Sequence, residues 1–81
     1  MTKIPFPFVE IQWLDAEGRI EWLSAADLDV EAPAMVTRGW LVKETDRAYI
    51  LAADVTADGL HVNTIMVIPK GMTSKLRKLN V

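Results

Sequence analysis

From Phe8 the chain alternates between apolar Val9, Ile11 and Trp13 and polar Glu10 and Gln12, the period of two expected of a strand buried on one face. This predicts a first strand over residues 8–14. Asp15-Ala16-Glu17-Gly18 then supplies a polar, glycine-containing turn. In Ser24-Ala25-Ala26-Asp27, Ser24 can cap a helix whose third position is Asp27, and Glu31-Ala32-Pro33 ends it within one or two turns. A short helix is therefore expected over residues 24–28.

Four further strands are expected. Residues 35–44 place Val36, Trp40 and Val42 on one side and Thr37, Gly39 and Lys43 on the other, with Leu41 out of step. The Val36/Trp40/Val42 side is the expected core side, and mid-strand Gly39 signals a bend or bulge. Thr45-Asp46-Arg47 makes a tight turn into residues 48–55, and Asp58-Gly59 marks a second hairpin before residues 60–68, where Leu60, Val62, Met66 and Ile68 alternate. Pro69 cannot donate to a ladder and Lys70-Gly71 follows it, so a single tight turn leads to residues 74–79, read as a last strand in preference to a helical turn using Met72, Leu76 and Leu79. The result is a mainly β meander forming one domain over residues 1–81, with residues 1–7 as an N-terminal arm.

Composition narrows the function. At 81 residues, 51% hydrophobic and 25% charged, the chain has more apolar side chains than a domain burying about 60–65% of its unfolded surface can hide. Self-association is the expected outlet, through the open strand edges, the proline-flanked Phe6 and Phe8, and the aromatic Trp22. Trp13 and Trp40, each among apolar neighbours, read as core. With no cysteine there is no disulfide or thiol nucleophile, which fits a reducing compartment. Pro5 and Pro7 interrupt any leader-like apolar run, and no stretch approaches the roughly 18 apolar residues of a membrane span. A soluble cytoplasmic protein without membrane association is expected.

The net charge of −2 is unevenly spread. Residues 1–31 carry seven acids against Lys3 and Arg19, a balance of −5, whereas residues 70–81 carry Lys70, Lys75, Arg77 and Lys78 and no acid, a balance of +4. The two ends complement one another within or between subunits. A sharper reading makes Arg38, Lys70, Lys75 and Arg77 contacts for RNA or nucleotide phosphates, although the overall acidity opposes it. Catalysis finds no purchase. His61 is a lone histidine without companion ligands, Ser24 and Ser74 suit capping and turn chemistry, and there is no Gly-rich phosphate loop. No catalytic residue, metal site or cofactor is expected.

The order Trp13-Leu14-Asp15, short helix, Thr37-Arg38-Gly39-Trp40-Leu41-Val42, Tyr49-Ile50-Leu51-Ala52, Asp58-Gly59 and Ile68-Pro69-Lys70-Gly71-Met72 resembles the small β-barrel proteins encoded by bacteriophages, of Sm-like, Src-homology-type architecture. The resemblance spans residues 8–79. It implies a five-stranded, strongly bent antiparallel barrel with one short helix after the first strand. It also implies assembly into a ring of five or six copies through edge strands, in the cytoplasm of an infected or lysogenic bacterial host. The RNA-pocket signatures of the Sm superfamily are not recognisable here: Ile68-Pro69-Lys70-Gly71 stands where an Arg-Gly or Lys-His pair is expected. A non-enzymatic assembly or binding module is the leading expectation, and an Sm-like ring for RNA or a small nucleotide is the alternative.

Overall fold

Five antiparallel strands form one sheet: β1 (Phe8–Leu14), β2 (Ala34–Glu44), β3 (Ala48–Val55), β4 (Val62–Pro69) and β5 (Thr73–Lys78), in the spatial order β4-β3-β2-β1-β5. The structure, a computed structural model, describes residues 4–16, 22–27 and 32–80.

Local chemistry builds the turns where the sequence places them. At the β2–β3 turn, Thr45 Oγ1 accepts from the backbone N–H groups of Arg47 and Ala48 at 3.3 and 3.0 Å, a side-chain mimic of a backbone turn. In the β3–β4 loop, Asp58 Oδ1 accepts from the Thr56 hydroxyl at 2.6 Å and from the Leu60 N–H at 2.9 Å. These bonds favour the ionised carboxyl and hold Asp58 below the usual carboxylate range. Gly59 takes the left-handed φ of +75° that the loop requires. After Pro69 ends β4, a 3-10 turn over Lys70–Met72 leads into β5.

That last connection dictates the shape of the sheet. β4 and β5 are its two edges, about 19 Å apart if five strands spaced at ~4.8 Å lay flat. A 3-10 turn rising ~2 Å per residue spans about 8 Å between Pro69 and Thr73. The sheet must therefore curl. No ladder joins β4 to β5 among the described residues, so the sheet is not closed into the expected barrel. The bending is distributed along β2, whose first half pairs with β1 and second half with β3, and Val42 is an extra residue where the β2–β3 register shifts. A second shift lies in the β1–β5 ladder, where the Ser74 hydroxyl donates to the Gln12 carbonyl at 3.0 Å.

The concave side holds the core. Val9, Ile11 and Trp13 of β1 meet Leu51 of β3 and Ile68 of β4, with Leu41, Tyr49 and Leu76 packed against them. Each fully buried aliphatic side chain contributes about 1.5–3 kcal/mol. Trp13 also donates its indole N–H to Thr37 Oγ1 at 2.9 Å.

Two expectations are corrected. The helix at 24–28 is a single 3-10 turn over Ala25–Asp27, with Ala25 and Ala26 exposed; so short a segment has no apolar face to bury and cannot stand as an isolated α-helix. Leu28, its expected last residue, lies outside the described residues. Trp40 is not core. The ladder pairs put Thr37, Gly39 and Leu41 on the concave side of β2, while half-buried Trp40 and exposed Val36 face outward. Gly39 is inward because β3 passes close by: a Cβ there would lie 3.0 Å from the Ala52 carbonyl oxygen and 3.3 Å from Leu51 Cβ.

Candidate assembly interface

β4 reads Val-Asn-Thr-Ile-Met-Val-Ile-Pro, eight residues without a charge, at an edge of the sheet. An edge strand with one solvated face should alternate apolar and polar. β4 does not. Val62 and Met66 share the concave side with Val55 and Leu51, and Ile65 and Val67 the convex side with Ala52 and Ile50, yet all four β4 side chains are exposed by 42–57%. The strand therefore presents apolar surface on both faces and, among the described residues, an edge with no further strand paired to it.

The convex side continues this apolar surface inward. The ladders align Ile65, Ala52, Trp40 and Phe8 in one row across β4, β3, β2 and β1. Within this row Ala52 is fully buried, and Phe8 and Trp40 meet edge to face, ring centroids 4.8 Å apart at 65°. Thus Phe8 is the first residue of β1 rather than a free anchor. Phe6 is half-buried. Within the arm, the Pro7 carbonyl accepts from the Leu41 N–H at 2.8 Å and the Pro5 ring lies against Gly59, so residues 5–7 lie along their own sheet. Trp22 is fully exposed.

The opposite edge has different chemistry. β5 carries Lys75, Arg77 and Lys78 with no acid, all three exposed, while Leu76 turns inward. Arg77 is engaged across the ladder: Glu10 of β1 stands directly opposite both Arg77 and Arg38 of β2. Its carboxylate, only 4% exposed, accepts from Arg38 Nε at 2.8 Å and from Arg77 Nε and Nη2 at 3.2 and 3.1 Å. The Arg77 guanidinium, then that of Arg38, holds the Glu10 carboxyl at about 2, far below the usual range, and Glu10 in turn raises Arg77.

Of the four cations read as anion contacts, Arg38 and Arg77 thus share one buried acid. Lys70 binds Glu44 at 2.6 Å, which raises its pKa, and lies 5.1 Å from the centre of the Tyr49 ring. Lys75 is exposed opposite Gln12. The four do not converge on one pocket.

An open cleft of about 400 Å³ at the end of the β3–β4 hairpin is lined by Asp54, Val55, Thr56, His61, Val62 and Asn63. Among the described residues no group of three His, Cys, Asp or Glu side chains could hold a metal ion there or elsewhere. Sequence reasoning missed Glu10, because its alternation with apolar neighbours reads as a solvated face; only the order β2-β1-β5 reveals an arginine on each side. No protein-family model, curated protein or solved structure matches the chain.

Proposed function

We propose that this protein is a non-enzymatic assembly module that closes into a homo-oligomer by pairing the β4 edge of one copy with the β5 edge of the next. The observation that carries the reading is the uncharged β4 strand, apolar on both faces and, among the described residues, at a sheet edge with no further strand paired to it. Charge selects the partner edge. Two β5 edges, each with Lys75, Arg77 and Lys78 and no acid, repel one another, whereas β4 carries no charge and the adjoining residues 48–61 carry only Asp54 and Asp58. β4 against β5 is attractive and leaves neither edge unpaired once a ring closes. The Sm-like resemblance suggests a ring of five or six copies as the specific form.

Light scattering coupled to size exclusion tests this at micromolar protein. The expected mass is a fixed multiple of the 9.1 kDa subunit, falling to the subunit mass in Val67→Lys, whose side chain is exposed in the single copy. A wild type that elutes only at the subunit mass rejects the proposal. The absence of cysteine makes the edges easy to map: Val67→Cys with Ser74→Cys should be joined between copies by a short bis-maleimide, whereas efficient joining of Val67→Cys alone would indicate β4 against β4.

A second reading, phosphate contact with RNA or a nucleotide, draws support from Arg38 and Arg77. Glu10 orients both, they remain 61% and 54% exposed, and Glu10 takes only part of each guanidinium's donor set. An absorbance ratio at 260 and 280 nm raised by co-purified nucleic acid would favour it over the assembly role.

A further inference from the structure

Thr64 has φ of +57° and is the only non-glycine among the described residues with a positive φ. A β-branched residue strongly resists that conformation, and it sits at the third position of β4, the edge the proposed assembly uses. Two local bonds hold it. The Thr64 backbone N–H donates to Asn63 Oδ1 at 2.7 Å, and the Thr64 hydroxyl donates to Asp54 Oδ2 across the ladder at 3.1 Å. The β3–β4 ladder pairs Ala52 with Ile65 and Asp54 with Asn63 but omits the Ala53–Thr64 pair between them. The kink thus interrupts the regular row of β4 without changing its register.

The sequence explains why an interruption matters. Residues 62–68, Val-Asn-Thr-Ile-Met-Val-Ile, are seven consecutive residues with no charge, no glycine and no proline, rich in β-branched side chains. Such a segment on an open edge is a template for unlimited strand addition. β4 has neither a lysine nor an internal proline to blunt it. The left-handed residue at 64 leaves a two-residue stub, Val62 and Asn63, and a continuous five-residue segment from Ile65 to Pro69. At ~3.4 Å per residue that segment is about 17 Å long, close to the roughly 20 Å of the six-residue β5.

We propose that Thr64 guards this edge: its left-handed backbone, fastened by Asp54 and Asn63, limits pairing to the segment 65–69 and keeps assembly closed instead of fibrillar. The identity of β5 as the partner rests on the assembly reading above; the guarding role does not.

Three variants test it. Thr64→Val keeps the branched side chain, removes the hydroxyl that binds Asp54 and favours extended backbone. Asp54→Ala removes the acceptor while leaving Thr64 itself unchanged. Thr64→Asn supplies a residue that tolerates the left-handed region. With circular dichroism checking that each is folded, thioflavin T fluorescence and the sedimentable fraction are followed at equal concentration. Thr64→Val and Asp54→Ala should form fibres with a lag at least several-fold shorter than wild type, while Thr64→Asn stays soluble at the wild-type mass. If Thr64→Val fails to fold, Asp54→Ala decides. Thr64→Val and Asp54→Ala variants as soluble as wild type overturn the guarding role. A monomeric wild type whose variants still fibrillise overturns the closed assembly alone.

Discussion

The bond between Trp13 and Thr37 is the most sharply testable part of the core. Trp13 is only 7% exposed, and its indole N–H donates across the β1–β2 ladder to half-buried Thr37 Oγ1 at 2.9 Å. A domain of 81 residues has about 4–12 kcal/mol of stability, at roughly 0.05–0.15 kcal/mol per residue. Trp13→Ala removes the largest side chain of the core and should cost about 3–5 kcal/mol, comparable with the whole stability at the low end of that range. Thr37→Val separates bonding from packing. It preserves the shape of the side chain but leaves the indole N–H without its partner in a water-poor site, a penalty of about 1–3 kcal/mol. Urea unfolding followed by circular dichroism measures it, at one fixed protein concentration because assembly shifts apparent stability. With a slope of about 1 kcal/mol/M, the midpoint should fall by roughly 1–3 M. Adding Trp13→Phe, which removes the donor, should make the double variant more stable than the two single losses predict. A Thr37→Val midpoint equal to wild type, or strict additivity in the cycle, would refute the claim that this bond contributes to stability.

Two further outcomes follow from the sheet. Glu10 titrates at about 2 in the folded state against an ordinary 4.5, so its contribution is complete above about 4.5 and is lost as pH falls from there towards 2, where the unfolded chain takes up the proton first. The pH profile of the melting temperature should therefore drop below pH 4.5 in wild type and be flatter there in Glu10→Gln; parallel profiles would contradict the two-arginine arrangement. Gly39→Ala places a Cβ 3.0 Å from the Ala52 carbonyl oxygen, so β3 must shift, at an expected cost of about 1–3 kcal/mol in urea unfolding, whereas Gly71→Ala, with no atom within 4 Å, should not carry this steric penalty.

Features that depend on near neighbours in the chain were legible in the sequence. The alternation of Val9, Ile11 and Trp13 gave the buried face of β1, and the residues at Thr45–Arg47 and Asp58–Gly59 gave the two hairpins, because each turn is closed by a side chain bonding backbone or hydroxyl groups within a few residues. Pro69-Lys70-Gly71 gave the turn before β5 because proline has no N–H to donate to a ladder. The inward face of β2 was misread, since Val36/Trp40/Val42 is the more apolar set yet Thr37/Gly39/Leu41 turns inward. The choice falls to the curl of the sheet, which brings the β3 backbone against residue 39, where only glycine fits without displacement. The partners of Glu10 likewise follow from strand order, which sets residues 28 and 67 positions away on either side of it. Exposure of β4 and the left-handed backbone of Thr64 belong to the same class, because an edge becomes an edge only when the whole sheet has been laid out. Sequence patterning fixes what each strand can bury, but the order and curvature of the sheet decide what it does bury and leave β4 uncovered.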